Sequence, residues 1–480
     1  MSLSGALNTA LTGLGAASRA AGVVSNNLAN ALTEGYGPRE VALSARAGSG
    51  GVRIDGVIRN TDDALIGDRR QAAAALGDAG AMARFLSEVE AAIGLPGAPG
   101  SLSSRLAAFE SALVYASAQP ASNVRLDGVA DSARRLADGL EAASDRVQDL
   151  RGRADAAIDR MVGELRLGLD QVADLNGRIA TARARGQETA SLVDQRQQVL
   201  DRIDEIVPLR QMPRPGGQIA LVSTGGALLL DGRPAQLDFT PTRVITADMR
   251  VETGLLGTAT LNGRMIDMRD GSLAGGALSG AAEVRDELAV KAQSGLDALA
   301  LDLVERFQNP AVDLTLAPGD AGLFTDGGLA FTVGAETGLA GRIALNPDAD
   351  PAQGGESWRL RDGLYAATPG PVGDGTLLVA MTYALAEPRP DASGHFGPGA
   401  RAAKDIGAAL LSDIGMQRQN AEARESFATA RLYALTEAEL ARGVDTDAEL
   451  QRLLLVEQLY NANARMIRVV DEMLGALTRL

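Results

Sequence analysis

The chain has 480 residues, which is enough for two to four domains that each bury a core. Its formal net charge of −15 argues against a nucleic-acid-binding surface, because such a surface needs basic patches. The absence of cysteine excludes disulfides and thiolate metal sites, and the sequence has no apolar run of about eighteen residues that would insert into a membrane.

The N-terminal segment carries a seven-residue apolar repeat. Its members are spaced alternately by four and three residues: Leu3, Leu7, Ala10, Leu14, Ala17, Ala21, Val24 and Leu28. This spacing keeps one face of a helix against a partner helix. The segment is therefore predicted to form a coiled-coil helix.

The C-terminal segment repeats this rhythm in three rows. They are Leu453, Tyr460, Ile467 and Leu474; Val456, Asn463, Val470 and Leu477; and Leu459, Met466, Met473 and Leu480. Neither terminal segment contains proline, so the two ends of the chain are predicted to pair, with the remaining apolar surface facing other molecules. Asn463 is the polar member of its row and is predicted to fix the register of the helices at some cost in stability.

Both terminal helices are weak on their own. Alanine supplies three of the eight N-terminal repeat positions, and Gly5, Gly13, Gly15 and Gly22 each cost roughly 0.5–1 kcal/mol relative to alanine. A buried leucine returns about 1.5–3 kcal/mol only when a partner covers it. We therefore expect the termini to be poorly ordered in the free chain and to fold on assembly. The same spacing is also typical of an ordinary helix pair packed on the protein's own core.

The first helix is predicted to end in the polar stretch Ser25–Arg39, before an extended segment at Glu40–Leu43. Asparagine and threonine compete with the helical backbone, glycine allows positive φ, and Pro38 prevents the helix from continuing. The residues of this turn are Asn26, Asn27, Leu28, Asn30, Thr33, Gly35 and Tyr36. They closely resemble the N-terminal signature of bacterial flagellar axial proteins, the family of rod, hook and hook-associated components.

The following residues narrow the resemblance. The segment Gly50–Asp62 alternates as a strand with a possible bulge at Gly56. It is similar to the segment that follows the signature in the hook-associated protein 1 family, whose members form the first hook–filament junction. Helices are predicted next at Asp62–Ile93, closed by Gly94, and at Ser101–Ala116.

A much longer helix is predicted after Pro120. Apolar residues continue at four–three spacing from Val129 to Met161 and, with some drift, on to Ile179. A helix of about sixty residues spans roughly 90 Å, which is longer than a compact domain. The body of the protein is therefore predicted to be elongated.

The block Asp194-Gln195-Arg196 follows in a further helical segment, Ser191–Asp201. This block resembles the most specific internal motif of the hook-associated protein 1 family. Asp194, Arg196 and Asp201 are able to form ion pairs on a helix surface. The favoured energetic interpretation is a solvated face on which each pair contributes a few tenths of a kcal/mol.

The apolar period changes after Pro208, so residues 208–270 are predicted to form antiparallel β structure. Gly225-Gly226 marks the two-residue turn of one hairpin, and Asn262-Gly263 marks a second turn. Residues 309–398 are rich in glycine and proline. Short strands are predicted there at Ala330–Val333, Arg342–Leu345 and Trp358–Leu360.

Helices are predicted again at Gly280–Phe307 and Arg401–Arg442. The second breaks at Gly443, and a last helix restarts with Asp445 or Thr446 as its cap. Its sequence from Asp447 onward closely resembles the C-terminus of the hook-associated protein 1 family. The segment Glu283–Ala300 also resembles the family. The resemblance thus covers both ends of the chain and three internal blocks.

No catalytic, cofactor-binding or metal-binding residue is predicted. The one histidine, His395, lies in a turn without a second histidine for a zinc site or a nearby acid for a nucleophilic triad. Asp348 and Asp350 lack the further carboxylates of a calcium loop. We therefore expect a protein that is not an enzyme.

The predicted fold is mainly α with β subdomains, in an elongated multidomain axial protein whose terminal helices pair as a coiled coil. A terminal inner-tube domain is expected at residues 1–45 with 444–480. A helical rod domain is expected at residues 46–207 with 275–309 and 399–443. An outer β domain at residues 208–274 and a loop-rich β region at residues 310–398 complete the division.

The resemblance implies a structural subunit of the hook–filament junction that adapts the hook to the filament. It implies a homo-oligomeric ring, contacts with the hook protein and the next junction protein, and an export chaperone that binds the C-terminal helix. It also implies an extracellular location after export by the flagellar type III apparatus. The N-terminus lacks the cationic segment and apolar core of a cleaved signal peptide.

Three alternatives stay open at this point. The chain is comparable to a hook protein or a distal rod protein, although the long helix and the Asp194-Gln195-Arg196 block disfavour both. A surface adhesin module belongs to a different class, and an aromatic content of 3% disfavours a glycan-binding surface. An extracellular enzyme is the third alternative, and it is disfavoured because the catalytic constellations are missing.

Overall fold

Long helices dominate the computed structural model, which describes residues 3–33, 35–46 and 50–477. The helices are α1 (Leu3–Ala29), α2 (Asp63–Ile93), α3 (Leu102–Ser117), α4 (Asn123–Ala184), α5 (Ala190–Ile206), α6 (Ala277–Glu283), α7 (Ala289–Phe307), α8 (Arg359–Asp362), α9 (Thr376–Ala386), α10 (Ala403–Ala441) and α11 (Thr446–Leu477). Together with the small sheets described next, they confirm the predicted fold class, which is mainly α with β subdomains.

The strands are short and pair in small antiparallel sheets. They are β1 (Arg39–Ala45), β2 (Val52–Arg59), β3 (Leu209–Pro213), β4 (Ile219–Ser223), β5 (Leu228–Asp231), β6 (Arg233–Pro234), β7 (Leu237–Asp238), β8 (Thr260–Leu261), β9 (Arg264–Met265), β10 (Phe324–Asp326), β11 (Ile343–Leu345), β12 (Arg389–Pro390) and β13 (Ala400–Arg401). The sheet orders are β1-β2, β3-β4-β5-β6, β7-β8-β9, β10-β11 and β12-β13.

The two ends of the chain meet in what we call the terminal module. It consists of α1 packed on α11, which we call the terminal pair, and of the β1–β2 hairpin that packs on α1. In the hairpin Ala42 pairs with Gly56 and Leu43 with Ile54, so one residue of β2 is left over. Gly56 has φ +144°, and the bulge predicted at this glycine is confirmed.

The body, residues 63–441, begins with α2. The carboxylate of Asp62 accepts hydrogen bonds from the N–H groups of Ala64 and Leu65, both at 3.1 Å, and so caps the helix. Gly94 ends it with φ +80°. The helix predicted at Asp62–Ile93 is therefore confirmed, and α10 packs along it.

The long helix α4 has 62 residues, and the prediction of a helix of about sixty residues is confirmed. Its N-terminal half packs in a first hydrophobic cluster with α2, α3, α7, α9 and the loop-rich region. Phe109, Phe307 and Phe324 meet there with ring centroids 5.5–5.8 Å apart. Its C-terminal half packs in a second hydrophobic cluster with α5, α6 and the β3–β6 sheet. One helix thus belongs to two cores.

A buried arginine joins α4 to the chain that follows the β3–β6 sheet. Arg285 lies in a π-helical turn, Val284–Leu288, and its side chain is fully buried. Its Nη1 donates to Asp155 Oδ1 at 2.6 Å, and its Nε donates to Asp286 at 2.7 Å. Asp155 Oδ2 accepts the N–H of Thr242 at 2.6 Å. The loop around Thr242 is therefore held on α4 by charge-assisted hydrogen bonds.

The predicted turns of the 208–270 region form. The β4–β5 hairpin is confirmed, but its turn also includes Thr224, because the N–H of Ser223 donates to Ala227 O at 2.9 Å. Asn262 and Gly263 adopt φ of +51° and +77° between β8 and β9, as expected for a two-residue turn.

The loop-rich region departs from prediction in three places. The segment Ala330–Val333 is irregular rather than a strand, whereas the strand at Ile343–Leu345 forms. The strand predicted at Trp358–Leu360 is wrong, because this segment enters the helical turn α8, in which the consecutive residues Leu360 and Arg361 are both buried. The helix α9 was not predicted, although Leu378, Met381 and Leu385 are buried at helical spacing.

Candidate assembly surface and its attachment

The terminal pair brings much of the predicted repeat together. On α11, Val470 is buried and Leu453, Val456, Asn463 and Ile467 are half-buried. Tyr460 (45%), Leu474 (41%) and Leu477 (60%) keep large exposed fractions. On α1, Val24 is buried, Leu3, Leu7 and Leu14 are half-buried, and Leu28 is exposed. Because α1 is rich in alanine, its side chains are too short to cover both the row that begins at Leu453 and the row that begins at Val456.

A second apolar stripe of α11 has no cover in the single chain. Its large members are Leu455 (57%), Leu459 (50%), Met466 (50%), Val469 (44%) and Met473 (50%), and Leu480, the last residue predicted for this row, lies outside the described residues. The row that contains Leu455 and Val469 was not singled out from the sequence, although its seven-residue spacing is the same. A monomer rarely leaves such a continuous apolar strip in water, and a strip of this kind marks an interaction surface.

The predicted signature turn is closed by one buried amide. Asn27 is fully buried. Its Oδ1 accepts the N–H of Arg39 at 3.0 Å and the hydroxyl of Tyr36 at 2.8 Å, and its Nδ2 donates to Arg39 O at 2.8 Å. Burial raises the pKa of Tyr36. Asn27 therefore fixes the path of the chain from α1 into β1.

The other members of the signature play smaller parts. Asn26 and Leu28 are exposed. Asn30 Nδ2 donates to Asn26 O at 2.9 Å, and the hydroxyl of Thr33 donates to Asn30 Oδ1 at 3.3 Å. Gly35 has φ +74°, and its backbone approaches the side chain of Gln198 on α5.

The internal motif meets the terminal module at Asp194. This residue of α5 is buried, and its Oδ2 accepts a hydrogen bond from Arg39 Nη2 at 2.6 Å. Its Oδ1 accepts from Arg59 Nε at 2.8 Å. The guanidinium of Arg39 also lies over the ring of Tyr36, 4.9 Å from its centroid. The structure thus joins two sequence marks, the signature turn and the internal motif, through arginines that sequence reasoning did not single out.

Arg196 joins three parts of the body. Its Nη1 donates to Asn176 Oδ1 at 2.8 Å and to Gly217 O at 2.9 Å, and Asn176 also bonds to both backbone polar groups of Ile219. Burial lowers the pKa of Arg196 to about 10, so the side chain stays charged at neutral pH. Gln195, between the two buried residues of the motif, is exposed.

The solvated face favoured for this helix is wrong for the motif residues. Asp194 and Arg196 are 7% and 5% exposed, and they bind groups outside α5 rather than each other. Asp201, a quarter exposed, accepts hydrogen bonds from Arg69 at 2.5 Å and Arg70 at 2.8 Å. Helical spacing alone does not reveal these partners, because they come from α2 and the terminal module.

The described residues also bear on metal binding, on the histidine and on membrane insertion. Across residues 3–33, 35–46 and 50–477, no three histidine, aspartate or glutamate side chains are grouped so as to hold a metal ion. His395 is half-buried with its ring against Phe396, centroids 4.8 Å apart. Within the same ranges, every helix is too short or too polar to span a bilayer.

Known protein families match both the helical body and the two ends of the chain. The family model for the flagellar hook-associated protein FlgK helical domain matches residues 86–320. The model for the flagellar basal body rod FlgEFG protein C-terminal matches residues 441–480, and the flagella basal body rod protein model matches residues 7–36. The last two matches fall on the terminal helices.

Full-length relatives are similar at low identity. The chain is 24% identical over 514 residues to flagellar hook-associated protein 1 of Bacillus subtilis (strain 168), covering 98% of this chain and 96% of that protein. It is also 24% identical over 557 residues to flagellar hook-associated protein 1 of Escherichia coli (strain K12), with 100% of both chains covered. The hook-associated protein 1 of Salmonella typhimurium is 27% identical over 290 residues, 54% of this chain and 51% of that protein.

A solved structure, the flagellar hook junction protein FlgK from Burkholderia pseudomallei, is similar over 54% of this chain and 47% of that chain. The sequence identity is 21% and the TM-score is 0.46, which is too low to support a conclusion. The family matches and the end-to-end similarity to the relatives above carry the assignment. From end to end, this chain is therefore similar to flagellar hook-associated protein 1 (FlgK), a structural protein of the bacterial flagellum.

Proposed function

We propose that this protein is a subunit of a ring at the hook–filament junction and that the terminal pair builds the ring. The observation that carries the proposal is the exposed stripe of α11, which runs beside the seam that faces α1. Leu459, Met466 and Met473 are each 50% exposed along it. In an assembled ring, the terminal pairs of neighbouring subunits cover this stripe, and the terminal helices gain the partner that their weak intrinsic stability requires.

Different parts of the chain occupy different positions in the ring. Residues 1–45 with 444–480 form the inner tube of the ring. Residues 46–207 with 275–309 and 399–443 form the helical rod around it. Residues 208–274 and 310–398 project outward. The boundary near residue 443 is supported by the contact between the side chains of Asp62 and Arg442, where the chain passes between the terminal module and the body. Strand β2 pairs with β1, so it belongs with the first of these parts.

The partners follow from the position in the flagellum. The ring contacts the hook protein on one side and the next junction protein on the other. Before assembly, the same apolar stripe of α11 needs cover, and an export chaperone bound to the C-terminal helix supplies it. The protein reaches the cell exterior through the flagellar type III apparatus.

The first test is the position of the protein in the flagellum. Purified hook–filament preparations are labelled with immunogold particles by an antibody against residues 208–270. A narrow band of gold at the junction is the expected result. Label along the hook or rod would assign the protein to another axial class, and absence of label from the flagellum would refute the proposal.

A second test addresses the stripe itself. A strain that carries Met466→Gln with Met473→Gln should lose filaments, because the two amides place polar groups where a neighbouring subunit must pack. Leu167→Gln is the matched control, since Leu167 is 60% exposed on α4, outside the terminal module. Equal motility of the double variant and the control would show that the stripe is not an assembly surface.

A further inference from the structure

We propose that Asp194 is an ionic latch that sets the angle between the terminal module and the body. Arg39 and Arg59 lie directly opposite each other in the register of the β1–β2 hairpin. Two like charges in this position repel, which would destabilise the base of the hairpin. The carboxylate of Asp194, supplied by α5 of the body, bonds to one arginine through each of its oxygens.

The contact is well sheltered from water. The side chains of Arg39 and Arg59 are each 13% exposed, and that of Asp194 is 10% exposed. Salt screens a sheltered contact less than a surface pair, and its geometry, one carboxylate between two guanidinium groups, holds both strands at once. A single side chain of the body therefore holds the terminal module by both strands of its hairpin.

Within the described residues, the hydrophobic cores of the body do not extend into the terminal module. Among the described residues, neither of the two large hydrophobic clusters includes a member of α1, β1, β2 or α11. One further ion pair between them, Arg19–Glu188, lies on the surface, and the pair Arg442–Asp62 joins the two connecting segments there. Surface pairs of this kind contribute little. The covalent connections are the short segments 60–62 and 442–445. When the contact with Asp194 opens, the terminal module rotates about these two short segments.

The latch connects the internal motif to the signature turn. Asn27 fixes the backbone at Arg39, and Asp194 fixes the side chain of the same residue. The orientation of α1 is thereby transmitted through Arg39 to α5. Opening the latch lets the terminal pair adopt the angle that its neighbours impose, a consequence for ring assembly that rests on the proposed function.

Spin-label distances in the free, full-length chain test the latch. The protein has no cysteine, so Ile54→Cys on β2 and Glu164→Cys on α4 provide two clean labelling positions, both exposed. We expect one narrow distance distribution for the otherwise unchanged chain, because Asp194 holds the hairpin that carries Ile54 even where the terminal helices lack their partners. Asp194→Asn, which keeps the shape and removes the charge, should broaden the distribution at least twofold, and Arg59→Gln should do the same.

The matched control is Asp174→Asn, because Asp174 is an exposed carboxylate of the neighbouring helix that pairs with Arg178 at 3.5 Å. It should leave the distribution unchanged. An Asp194→Asn distribution as narrow as that of the control would overturn the proposal. So would loss of the helical circular dichroism of the body, since Asp194 would then support the fold rather than the angle. The measurement uses the free chain. Its result therefore tests the latch independently of the proposed role at the junction.

Discussion

Asn463 lies directly against Gly13, where a methyl group on the glycine would be 2.7 Å from Asn463 Oδ1 and 2.8 Å from Nδ2. The amide is held in place because Nδ2 also donates to Leu459 O at 2.9 Å. The polar residue predicted to fix the register of the terminal pair therefore faces a glycine of α1, which offers no side chain to meet it.

This relationship predicts opposite effects for two glycines of the same helix. Gly13→Ala should destabilise the terminal pair by about 1 kcal/mol, because overpacking outweighs the gain in helix propensity. Gly15→Ala should stabilise it by about 0.5–1 kcal/mol, since nothing lies within 4 Å of a methyl group there. Hydrogen exchange of α1 and α11 amides measures both effects. Adding Asn463→Ala to Gly13→Ala should recover the loss, and equal effects of the two alanines would contradict the packing.

The buried amide of Asn27 predicts a second pair of variants. Asn27→Ala leaves both backbone polar groups of Arg39 and the hydroxyl of Tyr36 without their partner. Each unsatisfied buried group costs about 1–3 kcal/mol, so faster hydrogen exchange is expected in β1 and in the last turn of α1. Asn26→Ala, at an exposed neighbour, should change stability by less than about 0.5 kcal/mol. Similar exchange in the two variants would show that the turn does not depend on Asn27.

The Arg285–Asp155 contact predicts a large loss of stability in the body. Arg285→Ala should lower the free energy of unfolding by about 3–5 kcal/mol, because it leaves the carboxylate of Asp155 buried and unpaired. Arg153→Ala is the control, since Arg153 pairs with Asp149 at 2.9 Å on the surface of the same helix. Its effect should stay below about 1 kcal/mol in denaturant titrations. Limited proteolysis should cut near Thr242 in the first variant alone.

Asp204 predicts a pH dependence. Burial raises its pKa to about 7, against the attraction of Arg70 and a hydrogen bond from the N–H of Leu209. Near pH 5–6 the folded chain therefore holds a proton that the unfolded chain has lost. This group makes the protein less stable as pH rises from about 4 to 7, by about 2–4 kcal/mol in total.

Asp204→Asn removes this dependence. The stability of the variant relative to the unchanged protein should rise across the same pH window and level off above about pH 7. Denaturant titrations at several pH values measure it. Asp174→Asn, at an exposed carboxylate, should show a constant difference over that range. A constant difference for Asp204→Asn as well would mean that Asp204 is ionised throughout.

Local signals were enough for the elements whose ends are set by nearby residues. The capping carboxylate of Asp62 and the positive φ of Gly94 bound α2, and both are visible in the sequence. The bulge at Gly56 and the turn at Asn262 follow from the same conformational rules. These features depend on residues a few positions apart, so no knowledge of the tertiary structure was needed.

Features that depend on distant partners were not predictable in the same way. Asp194 looked like one member of a solvated helix face, yet its partners, Arg39 and Arg59, lie 155 and 135 positions earlier in the chain. The segment Trp358–Leu360, predicted as a strand, enters a helical turn in which Leu360 and Arg361 are buried one after the other, a pattern that depends on the surrounding chain. Periodicity reports which face is covered, and it does not report what covers it.

The length of α4 has a mechanical consequence. Because residues of this one helix belong to both hydrophobic clusters, no flexible linker separates the two cores. A bending or twisting load applied at one core reaches the other through a continuous ladder of backbone hydrogen bonds. The body therefore behaves as a stiff strut, and any compliance in the subunit is concentrated where the terminal module joins it.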